Sequence, residues 1–120
     1  MMKMKNLLCI AALLIGSIAM AQEVKPKFEK SDDLIKGTYY YEDGTVKQEG
    51  TYNLEGKLHG DWVMYNQKGE KTAVAKYQNG EKAGKWLFWE NQELTEVNYN
   101  DSRITEVVKW KNNEVIVSNP

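Results

Sequence analysis

From Asp33 onward, apolar and polar residues alternate in short runs. Turn-forming residues interrupt these runs about every 8–12 positions, the pattern of an all-β meander. The runs predict strands over Gly37–Glu42, Val46–Asn53, Gly60–Asn66, Lys71–Gln78, Gly84–Glu90, Glu93–Tyr99, Ile104–Lys111 and Glu114–Val117. Asp43-Gly44 and Asn79-Gly80 suit two-residue hairpin turns, because Asp, Asn and Gly tolerate positive φ. Asn112-Asn113 can serve similarly, and Asn66-Gln67-Lys68-Gly69 fits a longer loop closed by glycine. Alternation places Ala73, Ala75 and Tyr77 on one face and Val74 and Lys76 on the other. Thr95, Val97 and Tyr99 oppose Glu96 and Asn98 in the same way, and Trp86 and Phe88 oppose Leu87 and Trp89. That last run is apolar on both sides, which predicts an aromatic surface beyond what one core can use.

The N-terminus follows a different rule. Lys3 and Lys5 precede an apolar stretch from Leu7 to Ile18, and Ala19-Met20-Ala21 offers small residues at alternate positions. This predicts a secretory signal peptide over residues 1–21, cleaved before Gln22. The stretch is short for a membrane-spanning helix, and an N-terminal anchor is the alternative. Cys9 lies before most of the apolar run, where lipoprotein-type attachment does not occur, and cleavage would leave no cysteine for a disulfide. Residues 22–32 are polar and read as a flexible leader, with the folded domain over residues 33–118.

Self-comparison shows a repeat. Gly56-Lys57-Leu58-His59-Gly60-Asp61-Trp62 and Gly80-Glu81-Lys82-Ala83-Gly84-Lys85-Trp86 both read G-x-x-x-G-x-W. A weaker copy runs from Asp33 through Gly37 to Tyr39, and a degraded one begins at Ser102. Tyr52 and Tyr77 each precede the first glycine of a strong copy. One hairpin cannot bury its own apolar face, so such units stack into an elongated, single-layer antiparallel array. In that array Gly56, Gly60, Gly80 and Gly84 would make tight turns or admit a neighbouring ring, and Tyr52, Trp62 and Tyr77 would be structural.

These motifs, with the turn Tyr41-Glu42-Asp43-Gly44, resemble MORN repeats in their bacterial variant form, over about Gly37 to Lys111. The resemblance implies a curved, single-layer hairpin array used for binding, in proteins variously described as antitoxin-like, membrane-associating or scaffolding. The sequence departs from the pattern at Gln92, Ser102 and Glu106, where glycine is expected, so the last unit reads as a cap.

Charge and composition narrow the function. Sixteen basic against 17 acidic residues in 120 argue against a nucleic-acid partner. The single histidine, His59, lies between two repeat glycines and reads as a turn residue, because a general base needs a nucleophile and an orienting group beside it. There is no phosphate-binding glycine loop, no ligand set for a metal and no motif for a cofactor. Asp32-Asp33, Glu42-Asp43, Glu90 and Glu93 fall near turns, where solvation explains them better than paired-acid hydrolysis.

Four Trp, seven Tyr and two Phe exceed what one layer can bury. Such rings either pack on one another along the repeat or present a ligand face. Tyr41, Tyr65, Trp86, Trp89 and Trp110 are the candidates for that face. The expectation is therefore an exported, periplasmic or secreted, non-enzymatic repeat protein that binds a partner protein through an aromatic face. The alternative is attachment to the envelope, through Lys57, Lys82 and Lys85 at a membrane surface or through stacking on a glycan. Unpaired end strands would also permit homodimerisation by edge pairing.

Overall fold

Ten antiparallel strands form one open sheet in the computed structural model, which describes residues 24–119. The expected signal peptide lies outside the described residues. The strands are β1 (Lys27–Ser31), β2 (Leu34–Tyr40), β3 (Val46–Asn53), β4 (Leu58–Tyr65), β5 (Lys71–Gln78), β6 (Glu81–Lys82), β7 (Gly84–Glu90), β8 (Glu93–Asn100), β9 (Arg103–Lys111) and β10 (Glu114–Asn119). Each pairs with its sequence neighbour, except that β5 pairs both the short β6 and β7. The result is an elongated, single-layer hairpin meander measuring 70 × 36 × 23 Å.

One face carries the core. Trp62, Ala75, Trp86 and Val97 are buried there, and Tyr39, Tyr52, Leu58, Tyr77, Phe88, Tyr99 and Val107 pack around them. Alternation along each strand selects this set, and register aligns it across the sheet: Gly50 opposes Trp62, Trp62 opposes Ala75, and Trp86, Val97 and Val107 share a row. Rings supply the second layer that the fold lacks. Tyr52 meets Trp62 edge-on with centroids 5.1 Å apart, and Tyr77 repeats the contact with Trp86 at 5.2 Å. An indole burying about 200 Å² contributes roughly 5 kcal/mol of transfer free energy before entropic losses, so these two side chains carry much of the fold.

The repeat motif has a structural meaning. Tyr52 pairs with Leu58 and Gly50 with Trp62, so β4 carries two extra residues at this point. Tyr77 pairs with Lys82 and Ala73 with Phe88, which gives the same two-residue bulge. The second glycine of each motif sits in the bulge at positive φ, +106° at Gly60 and +63° at Gly84. The tryptophan two residues later lies across the neighbouring strand. Trp62 Nε1 donates to the Thr51 carbonyl at 2.9 Å, and Trp86 Nε1 to the Lys76 carbonyl at 3.0 Å. In the degraded copy Glu106 stands where the second glycine is expected but pairs with Asn98, the irregularity shrinks to the single residue Thr105, and Val107 takes the place in the row that Trp86 holds opposite Val97.

Three expectations need correction. The leader expected over 22–32 contains a strand: Lys27–Ser31 pairs along its whole length with β2. Phe28 stands opposite Gly37 and packs edge-on against Tyr39 at 6.0 Å, which holds this otherwise polar strand in the sheet. Asp43-Gly44 is not a two-residue hairpin turn. Gly44 N–H donates to the Tyr41 carbonyl at 2.9 Å and Tyr41 N–H to Thr45 at 2.8 Å, a four-residue turn in which only Gly44 has positive φ. Asn53–Gly56 and Asn66–Gly69 repeat it, and in each the Asn Oδ1 accepts from two backbone N–H groups. Asn79-Gly80 and Asn112-Asn113 do take positive φ at both residues, as a two-residue turn requires. Finally, Gly56, Gly60, Gly80 and Gly84 admit no ring; Gly50 does, beneath Trp62, and Gly37 of the weaker copy lies against the Tyr52 and Phe28 rings.

Candidate functional site: the aromatic end of the sheet

Four of the five candidate aromatics lie at one end of the meander, just before its turns. Tyr41 ends the approach to the β2–β3 turn, Tyr65 closes β4, Trp89 lies near the end of β7 and Trp110 near the end of β9. The first three recur every 24 residues, so the hairpin repeat itself brings them to the same end.

The N-terminal pair is tied into the fold. Tyr41 donates its hydroxyl to the Tyr65 carbonyl at 2.6 Å, and the Lys47 ammonium lies 5.8 Å from its ring centre. Tyr65 donates to Glu49 Oε1 at 3.2 Å. Partial burial, and then the negative charge of Glu49, raise the Tyr65 hydroxyl above the ordinary tyrosine pKa.

The C-terminal pair is more open. Trp89 faces Leu94, Leu94 faces Trp110, and Trp110 faces Val115 in direct register across four strands. This row lies opposite the ring core. Trp89 is 37% exposed and Val115 50%. Trp110 Nε1 is buried with no hydrogen-bond partner, unlike the indole N–H groups of Trp62 and Trp86. Trp89, Leu94, Glu96 and Trp110 border an open cleft of about 640 Å³, with Gln92, Asn112 and Asn113 at its rim.

Trp86 does not belong to this surface. It is on the core face and only 6% exposed, because its strand neighbours alternate and its indole is fixed to β5. Tyr52, Trp62 and Tyr77 are core residues, as the repeat implied. Gly56 and Gly80 lie in turns, Gly60 and Gly84 in bulges. The residues that sequence reasoning missed are Leu94, Val115 and the three rim amides. Their alternation was visible, but only register shows that they meet Trp89 and Trp110.

The remaining candidate chemistry is engaged in structure. His59 Nδ1 accepts from Asn79 N–H at 3.1 Å, linking adjacent turns. The Lys82 ammonium lies 5.2 Å from the ring centres of both Trp86 and Tyr99. Lys85 pairs with Glu96 at 3.8 Å and Lys57 with Glu55 at 3.5 Å. Among the described residues, no group of three or more His, Cys, Asp or Glu side chains could hold a metal ion. No family model matches the chain, and no curated protein matches it significantly.

Proposed function

We propose that the protein is an exported, non-enzymatic binding module that holds a partner protein on the face opposite its ring core. The observation that carries this reading is the row Trp89–Leu94–Trp110–Val115, apolar, in register and, among the described residues, uncovered by any second layer. An exposed apolar row with a polar rim is the composition of an interaction patch rather than of a solvated face. Tyr41 and Tyr65 extend the same end of the sheet, so a long partner could be followed along it. Export rests on Lys3, Lys5, the apolar run from Leu7 to Ile18 and the small residues at Ala19 and Ala21. The resemblance to MORN repeats, carried by the two tryptophan-bearing motifs, supports a binding role and names no partner. Envelope attachment through lysines is less well supported, since Lys57, Lys82 and Lys85 already have acidic or aromatic neighbours.

The test is in-cell crosslinking of the tagged full chain, followed by the same experiment with Trp89→Ala and Trp110→Ala. One protein should crosslink in stoichiometric amount to the parent and be lost from both variants, while their far-UV circular dichroism is unchanged. Undiminished crosslinking to folded variants, or sedimentation of the parent with anionic vesicles in place of a protein partner, would overturn the reading.

A further inference from the structure

We infer that the Trp89–Trp110 cleft takes an extended, proline-rich segment without acidic residues, laid across the strands. This rests on the protein-binding reading above and specifies the partner.

The charge of the site comes first. The lining of the cleft contains no Lys, Arg or His, which disfavours phosphate, acidic glycans and anionic headgroups. Glu93 and Glu96 both line it, and Lys85 faces only Glu96, at 3.8 Å, so the lining excludes an acidic ligand and accepts a neutral or basic one.

Shape comes next. Trp89, Leu94, Trp110 and Val115 are cross-strand partners, so their row runs perpendicular to the strands. Three strand spacings make it about 14 Å long. A chain lying along it cannot add to the sheet by backbone pairing, because its direction is wrong. It must therefore have a conformation that needs no partner strand. Polyproline II is one such conformation, rising about 3.1 Å per residue, so four or five residues cover the row, about half as many as an α-helix would need. Aromatic-lined grooves bind such segments because little ordering entropy remains to be lost.

The polar groups fit the same ligand. A polyproline segment offers carbonyl oxygens and few N–H groups. The Gln92, Asn112 and Asn113 amides at the rim can donate to those oxygens. A neutral sugar could use those amides too, but Leu94 and Val115 offer it only aliphatic surface.

The probe is a synthetic peptide of repeated Pro-Pro-Leu units, titrated into the full chain with tryptophan fluorescence as readout. A Gly-Ser peptide of equal length and a neutral β-linked glucose oligomer are the comparisons. Saturable binding of the proline peptide alone is expected, weakened about tenfold or more by Trp110→Ala and about equally by Trp89→Ala. Trp110→Phe keeps a smaller ring, and should weaken binding only a few-fold. Leu54→Ser, in a turn at the other end of the sheet, should leave it unchanged. If Trp110→Ala fails to fold, the more exposed Trp89→Ala decides. Saturable binding of the sugar instead, equal binding of the Gly-Ser peptide, or no binding would overturn the inference. In the last case, loss of the crosslinked partner from Trp89→Ala would still sustain the protein-binding reading, and its persistence would remove both.

Discussion

A Cβ added to residue 50 would lie 2.1 Å from the Trp62 ring, with two more ring atoms within 2.4 Å. The indole occupies the place where a side chain would stand, so Gly50 is required by its neighbour and not by its own dihedral angles. Gly50→Ala should therefore cost about 1–3 kcal/mol, the range for overpacking a tight site, measured by denaturant unfolding. Tyr52, on the other side of that indole, offers a pH test. Its hydroxyl shares a hydrogen bond with the Tyr39 hydroxyl, and burial above all, helped by Tyr39, pushes its pKa up to about 12. An unfolded tyrosine titrates near 10. The folded state thus holds the proton more tightly, and the associated stability is complete below about pH 10 and is lost as pH rises towards 12. Unfolding midpoints should fall across that window, and Tyr52→Phe should flatten the fall; an equally steep fall in the variant would assign the effect to other groups. At this scale the sequence was informative where chemistry is local. The Trp62 and Trp86 motifs announced their own importance. Gly50 did not, because its role depends on a residue twelve positions away in a different strand.

At the scale of the element, alternation located seven of the eight predicted strands within a few residues of their observed ends, and placed the eighth, Glu114–Val117, inside β10. It missed two strands: β6 is only two charged residues long, and β1 has four of its five residues polar or charged, so hydrophobic patterning has only Phe28 to register. The turns divided by chemistry. Asn79-Gly80 kept the two-residue form expected of it, whereas the turns closing at Gly44, Gly56 and Gly69 are four-residue turns with a single positive φ. In the latter two, Asn53 and Asn66 accept two backbone N–H groups apiece, which stabilises the wider turn. The bulges at Gly60 and Gly84 explain why the repeat carries a glycine two residues before its tryptophan, a spacing visible in the sequence whose cause was not. The binding end was half legible for the same reason. Tyr41, Tyr65, Trp89 and Trp110 could be picked as surplus aromatics, but Trp86 could be separated from them only once β7 was seen to bury that side. Both edges also carry features that oppose self-pairing: β1 alternates Lys27, Glu29 and Lys30, and β10 is bulged between Val115 and Val117.

The whole molecule departs from a globular domain in a way that determines how it should unfold. Its radius of gyration is 20.8 Å. A globular chain of similar length would have about 13 Å. Backbone pairing joins each strand only to those beside it, and ring contacts such as Tyr39–Trp62 reach one strand further, so stability is close to a sum of local terms rather than the property of one centre. Those terms are unequal. The buried apolar side chains, Trp62, Ala73, Ala75, Trp86 and Val97, all lie on β4, β5, β7 and β8, while every residue of β1 and β10 is exposed. Hydrogen exchange should accordingly be slowest in the four central strands and fastest in the two outer ones, with β2, β3 and β9 between them. The decisive variant is Trp62→Ala. Losing a buried indole costs about 3–5 kcal/mol in a well-packed site. In an array that loss is confined to its surroundings, so protection should fall most in β3, β4 and β5 and least in β8 and β9, where the Trp86–Val97–Val107 row is intact. A uniform fall across all strands would mean that the sheet unfolds as one cooperative unit. A graded fall would mean that the Trp89–Leu94–Trp110–Val115 row, which lies on β7 to β10, can keep its shape when the N-terminal half is loosened.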